Sequence, residues 1–228
     1  MQPALKRKYI PWLVVLGLIG IDQFTKILVK TSMNLGESIH VMGDWFMLHF
    51  TENPGMAFGL EFPFPNGKLI LSILRIIALF FIGWYILKVV KKGAPVGLLI
   101  CLGMIFAGAL GNIIDSAFYG LVFGESYFSQ PAVAFPEGGG YAPFLHGKVV
   151  DMFYFPIINT TFPQWFPFWG GEEFIFFRPV FNIADASITV AIFTIIIFQK
   201  RFFAFEKKPK AHDQEDEVDT NSNGPETR

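Results

Sequence analysis

Long apolar runs, rather than alternation, dominate the pattern of this chain. Residues 10–29, 69–87, 96–118 and 181–198 are almost continuously hydrophobic. Each approaches the length of about 20 residues that a helix rising about 1.5 Å per residue needs to cross about 30 Å of hydrocarbon. One such run would fit a buried core helix; four predict a bundle of membrane spans. The first run carries Asp22 and Lys26 and lacks a small-x-small cleavage site, so it reads as a span rather than a cleaved leader. Between the runs the pattern changes. Residues 40–50 alternate loosely and lead into TENPGMAFG at 51–59, which predicts a strand and then a turn at Asn53-Pro54-Gly55. Residues 148–153 (KVVDMF) form a second strand-like run, while the Gly- and Pro-rich stretch 120–147 predicts an irregular loop. Residues 153–177 are crowded with aromatics, including Trp165 and Trp169. That suits the headgroup region, as an interface anchor or a shallow, partly embedded segment. Beyond Phe205 the chain turns polar and acidic, which predicts disorder. The expected architecture is an α-helical membrane protein: four transmembrane helices with a small extracytoplasmic β-rich element and an irregular outer loop. A membrane domain covers residues 1–205 and a disordered polar cytoplasmic tail covers 206–228.

Composition agrees with that class. Of 228 residues, 52% are hydrophobic, and the mean hydropathy of +0.44 is high for a soluble domain. The distribution of Lys and Arg gives an orientation. Lys6, Arg7 and Lys8 precede the first run, Lys88, Lys91 and Lys92 follow the second, and Lys200, Arg201, Lys207, Lys208 and Lys210 follow the fourth. The two longer loops are poor in basic residues, with Lys30, Lys68, Lys148 and Arg178 as their main members. The positive-inside rule places both termini in the cytoplasm and both long loops outside. The net charge of −1 carries no nucleic-acid signal, and the single Cys101 lies mid-span, which rules out an intrachain disulfide.

Against this apolar background the polar residues stand out. Asp22, Asn112, Asp115, Asn182 and Asp185 all lie in or at the spans, where a central Asp costs about 2.5–3.5 kcal/mol on insertion scales. The first and third spans run outward and the fourth runs inward, so all five residues converge on the outer side. Asn112/Asp115 and Asn182/Asp185 are spaced i,i+3, which sets each pair on one helical face, and Asp22 and Lys26 at i,i+4 can form an ion pair. One polar cluster ringed by three helices is the expectation. Its chemistry narrows by elimination. A zinc protease needs an HExxH-like ligand set, but all four histidines lie outside the spans. No Gly-x-Ser-x-Gly elbow is present. An aspartyl mechanism needs only two carboxyl groups that share a proton and hold a water; Asp22, Asp115, Asp151 and Asp185 are all candidates for that pair. A proton-coupled transporter using intramembrane carboxylates is the alternative, weakened by the few spans and the absence of a repeated half.

Five short motifs sharpen this picture. DQFTK at 22–26, NPGMAFG at 53–59, GALGNIID at 108–115, VVDMF at 149–153 and FNIAD at 181–185 resemble, in order, the motif series of the lipoprotein signal peptidase (signal peptidase II) family. The resemblance covers residues 9–203. It implies an aspartic endopeptidase of the bacterial cytoplasmic (inner) membrane, with its active site near the outer leaflet. The implied reaction removes the signal peptide from diacylglyceryl-modified prolipoproteins, cutting before the lipidated Cys. It also implies Asp151 and Asp185 as the catalytic dyad, surrounded by Asp22, Asn53, Asn112 and Asp115; Lys26, Gly55 and Asn182 are further substrate-binding or supporting candidates from their positions in the chain. The implied partners are the lipidated prolipoprotein and membrane lipid, and no metal or cofactor is expected. Two features depart from the family pattern. Ser116 stands where an Arg usually follows the third-span Asp; either Arg75 or Arg178 supplies the missing charge, or the charge is dispensable and both arginines merely contact lipid headgroups. The segments 120–147 and 153–177 are also longer than is usual.

Overall fold

The computed structural model describes residues 7–54, 67–176 and 179–207. Helix α1 spans Ile10–Ser32, α2 spans Gly67–Lys91, and α3 spans Val96–Ile114. Helix α3 continues through a π-helical turn, Asp115–Tyr119, into Gly120–Val122. Helix α4 spans Ile183–Ile197 and is followed by the short α5, Gln199–Phe202. Large apolar side chains such as Leu16, Phe24, Phe80, Phe81, Phe193 and Ile197 point outward. A surface of that kind suits lipid, not water.

Helix α3 is the hub, packed against α1, α2 and α4. Small residues permit the close approach. A Cβ on Gly103 would stand 2.8 Å from the Pro11 carbonyl of α1, and one on Gly108 would collide with the Ala184 carbonyl of α4. The apolar core between the spans is built from Ile86, Val89, Leu98, Leu99, Leu102 and Ala191.

Among the described residues, three helices are long and apolar enough to cross a membrane alone. The fourth run, expected as a continuous span over 181–198, is shorter. Helix α4 has 15 residues, or about 22 Å at 1.5 Å per residue. The chain then bends by 82° into residues 199–206. Lys200 and Arg201 fall just beyond the bend, and both are exposed.

The expected β-rich element is present. Strands β1 (Ser38–Met42), β2 (Phe46–Asn53), β3 (Val149–Tyr154) and β6 (Val180–Phe181) form one antiparallel sheet in the order β1-β2-β3-β6. A second cluster, Val29, Met33, Phe50, Tyr119, Phe123, Val150 and Met152, fastens this sheet to the ends of α1 and α3. The aromatic stretch between β3 and β6 is a separate hairpin of β4 (Ile158–Thr161) and β5 (Glu173–Phe176). The loop after Val122 is irregular, as expected, with one isolated bridge between Phe123 and Ala134. Gly55, Arg178 and the tail 208–228 lie outside the described residues.

Candidate active site

Strand β3 and the start of α4 place the two implied catalytic carboxylates together, and both are tied to Asn182. Asn182 is the N-cap of α4. Its extended backbone leaves the side-chain oxygen free to accept from the Asp185 amide at 3.0 Å, while Asp185 accepts from the Asn182 amide at 3.4 Å, a reciprocal capping box. The same Asn182 donates Nδ2 to Asp151 Oδ1 at 2.7 Å, to the Val150 carbonyl at 3.2 Å and to Asn112 Oδ1 at 3.2 Å. From β2, Asn53 donates to Asp151 Oδ2 at 3.3 Å. Its position follows from register: Asn53 opposes Val149 and Thr51 opposes Asp151, so Asn53 and Asp151 are diagonal neighbours on one face.

Helix α1 orients the other carboxylate from beneath. Lys26 is fully buried and makes ion pairs with Asp22 at 2.9 Å and Asp115 at 2.8 Å. It also donates to Asn112 Oδ1 at 2.9 Å. An ammonium can only donate, so the Asn112 oxygen must face Lys26 and its amide nitrogen must face away. That nitrogen donates to Asp185 Oδ1 at 2.8 Å. Lys26 thus sets the rotation of the amide that addresses Asp185. Asp22 contributes at a second point, accepting from the Ala184 amide in the first turn of α4 at 3.0 Å. Asp22 and Asn182 thereby satisfy two amides that the start of a helix leaves open. Gly111 lets this happen, since a Cβ there would stand 2.6 Å from Asp22 Oδ2.

Asp115 opens the π-helical turn, a local widening that recurs at functional sites. It accepts from Gln23 Nε2 at 2.8 Å and from the Val150 amide at 3.4 Å. Carbonyls in and just after the turn are taken up by the returning loop: Gly147 donates to Ser116 O at 2.8 Å and Ala142 to Gly120 O at 3.0 Å. A side chain on Gly147 would collide with the Asp115 carbonyl. The loop therefore re-enters directly over the π turn and delivers Val149 to the start of β3.

Every implied site residue within the described region joins this one network: Asp22, Lys26, Asn53, Asn112, Asp115, Asp151, Asn182 and Asp185. The sequence reading missed two contributors, Gln23 and Tyr119, and a separate buried lysine beside the network, Lys30. Gln23 bridges Asp115 and the Tyr119 hydroxyl, which donates to Gln23 Oε1 at 3.2 Å. Lys30 pairs with Glu52 and accepts no solvent contact. Gln23 lies inside the DQFTK motif, and Lys30 continues the i,i+4 column of Asp22 and Lys26, so both carried a readable signal. Tyr119 carried none, because its approach depends on the π turn.

The departure at Ser116 has a local account. Its hydroxyl folds back onto the Asn112 carbonyl at 3.0 Å, and the positive charge beside Asp115 is Lys26. Arg75, on α2, instead acts electrostatically on Asp185 and Asp151. Asp151 is itself pushed up to about 7, first by burial and then by the Asp185 charge.

Buried or half-buried carboxylates bridged by asparagines lie at the junction of a bundle of apolar helices and a small sheet. Two solved structures, both described as bacterial membrane enzymes determined by the in meso method, share the fold. One aligns with a TM-score of 0.56 at 23% identity, covering 88% of this chain and 92% of the other. The second gives 0.54 at 25% identity, covering 82% and 90%. The family model described as signal peptidase (SPase) II matches residues 14–201. The lipoprotein signal peptidase of Porphyromonas gingivalis is 51% identical over 195 residues, 85% of this chain and 84% of that protein. That of Amoebophilus asiaticus is 36% identical over 191 residues, 82% and 76%. The chain belongs to the signal peptidase II family and is a membrane-embedded protease, which displaces the transporter alternative.

Proposed function

We propose that this protein removes the signal peptide from diacylglyceryl-modified prolipoproteins, cutting before the lipidated Cys, with Asp151 and Asp185 as its catalytic dyad. One observation carries the assignment of roles. Both carboxyls accept hydrogen bonds on both oxygens, but Asp151 is almost wholly buried and raised to about 7 by burial and by Asp185, whereas Asp185 is more open. Two like charges in a low-dielectric site do not both ionise readily, and the pair shares a proton. Asp151 is the protonated member and Asp185 the carboxylate. Asp185 takes a proton from water, whose oxygen attacks the scissile carbonyl while Asp151 donates its proton to the carbonyl oxygen. Collapse of the tetrahedral intermediate returns a proton to the leaving amine and restores the dyad.

Topology supports the substrate. The Lys/Arg asymmetry puts both termini in the cytoplasm and the sheet outside. The dyad then lies near the outer leaflet, the depth at which a diacylglyceryl-anchored Cys would hold its peptide bond. Asp151→Asn and Asp185→Asn keep shape but remove a titrating carboxyl. Each variant, purified and given lipidated precursor, should lose cleavage while its helical circular dichroism stays intact. Near-normal turnover in either would remove that residue from the dyad.

A further inference from the structure

The β4–β5 hairpin occupies the connection between β3, which bears Asp151, and β6, which leads into α4 and Asp185. Its pairing runs from Ile158↔Phe176 to Thr161↔Glu173, closed by Phe162 donating to the Glu172 carbonyl at 2.9 Å and Gly171 to the Phe162 carbonyl at 3.0 Å. At the tip, Phe162, Phe166 and Trp169 form a ring cluster, with Phe162 and Phe166 stacked at 4.9 Å. Around that cluster Trp165 is 79% exposed, Phe168 93% and Trp169 52%. Phe168 also holds a φ of 73°, a left-handed conformation that is unfavourable for a bulky residue. The root is firm. Phe155 stacks on Phe46 at 4.6 Å and on Phe181 at 5.7 Å, so the hairpin is gripped by β2 and by the strand leading into α4. Trp45, 51% exposed, lies beside the same stack at 6.2 Å from Phe155.

We propose that this hairpin is a second, non-spanning membrane contact. It inserts Trp165, Phe168 and Trp169 into the headgroup–acyl boundary of the leaflet nearest the dyad, and so sets the depth of β3 and α4. Three observations favour lipid over a protein partner. The hairpin leads through β6 directly into the N-cap of α4, so its root already sits at the membrane boundary. Its tip combines Trp, Phe and Pro, the aromatic composition of interfacial belts. Residues 149–176 contain no Lys or Arg, so attraction to anionic headgroups is not required and apolar insertion of about 5–10 Å supplies the binding. The inference rests on the membrane placement of the spans, not on the peptidase chemistry.

The full chain carrying Cys101→Ala and Phe168→Cys, spin-labelled and reconstituted in phosphatidylcholine nanodiscs, tests it. A Ser129→Cys label on the other outer loop serves as the water-exposed reference. The label at 168 should collide preferentially with oxygen, and the label at 129 with a water-soluble nickel chelate. Equal chelate accessibility at both positions would overturn the insertion and would fit a site awaiting a soluble protein. This readout is independent of cleavage, so it stands or falls separately from the dyad assignment. Trp165→Ser with Trp169→Ser should raise KM for lipidated precursor several-fold with kcat retained. An unchanged KM, or a loss confined to kcat, would overturn the depth-setting role.

Discussion

Helix α1 buries two lysine ammonium groups one turn apart, and they serve different neighbours. Lys26 makes its ion pairs and hydrogen bond with Asp22 of α1 and with Asp115 and Asn112 of α3 and its continuation. Lys30 faces groups from the outer sheet and loop. It pairs with Glu52, meets Ser126 Oγ at 2.8 Å, and lies over the Phe123 and Tyr141 rings at 5.6 and 5.0 Å. Glu52 in turn reaches Lys148 at 3.3 Å, and Lys148 pairs with Glu125. Burial pushes the Glu52 carboxyl up, but the charges of Lys30 and Lys148 and the hydrogen bonds from Lys30 and Ser126 together outweigh it and hold the group below the usual range. The two clusters also differ in balance. Lys26 is one cation between two carboxylates, whereas Lys30 and Lys148 match Glu52 and Glu125 in number. The inner cluster aims the amide that contacts Asp185. The outer one clamps the residue next to Asn53, on the opposite face of the strand from Asp151. Equal burial therefore conceals two tasks: one cation orients the amide that contacts Asp185 of the proposed dyad, the other fixes the sheet that bears Asp151.

Removing the inner cation should have the largest effect. Lys26→Met leaves two buried carboxylates unpaired and frees the Asn112 amide to rotate. A loss of about 3–5 kcal/mol of stability is expected from a broken buried pair, with no detectable cleavage. Thermal unfolding in detergent and cleavage of lipidated precursor measure the two effects. Adding Asp115→Asn should recover part of the stability but none of the activity. If it recovers neither, the pair is not the source of the loss.

Lys30→Met should do less, because Lys148 remains beside Glu52. About 1–3 kcal/mol is expected for a buried carboxylate that loses its closest cation but keeps Lys148 and the Ser126 hydroxyl, with cleavage reduced but measurable. A loss equal to that of Lys26→Met would erase the distinction between the clusters.

The dyad then supplies a pH test. The raised Asp151 carboxyl carries the proton that the mechanism donates, so activity should fall as pH rises through about 7. Stability has the same sign. A carboxyl raised from 3.8 to about 7 favours the folded state relative to high pH, and that contribution is lost as pH climbs through the folded value. Wild type should therefore lose Tm relative to Asp151→Asn between about pH 4 and pH 8. A flat difference would argue against a proton on Asp151.

Arg75→Gln should give the smallest change. Its charge acts on Asp185 and Asp151 from α2 without being the partner of Asp115. A cost of about 1 kcal/mol, roughly fivefold in rate, is expected, together with an upward move of the high-pH limb and partial rescue by Arg75→Lys. Wild-type rate and an unshifted limb would assign Arg75 to structure alone.

Much of this was legible in the chain. Four apolar runs against a bilayer thickness predict the bundle, because hydrocarbon leaves a backbone no alternative to helix. The i,i+3 and i,i+4 spacings put Asp22 with Lys26, Asn112 with Asp115 and Asn182 with Asp185 on shared faces, since helical periodicity is local. The strand at β3 followed from the apolar run around Asp151. What stayed hidden was whatever depends on two segments meeting. The Asp22 carboxylate on the first turn of α4, the Gln23–Tyr119 bridge and the Lys26–Asn112–Asp185 chain join residues about 70 to 160 positions apart, through distances no spacing rule encodes. The π turn at Asp115 and the 82° bend after α4 were equally silent, because each is settled by packing. The sequence by itself determined which residues are polar at which depth, because burial in lipid is a property of each segment. Only the tertiary structure decided which of those residues address one another, because hydrogen-bond partners are chosen by the close approach of α1, α3 and α4 that Gly103, Gly108 and Gly111 permit.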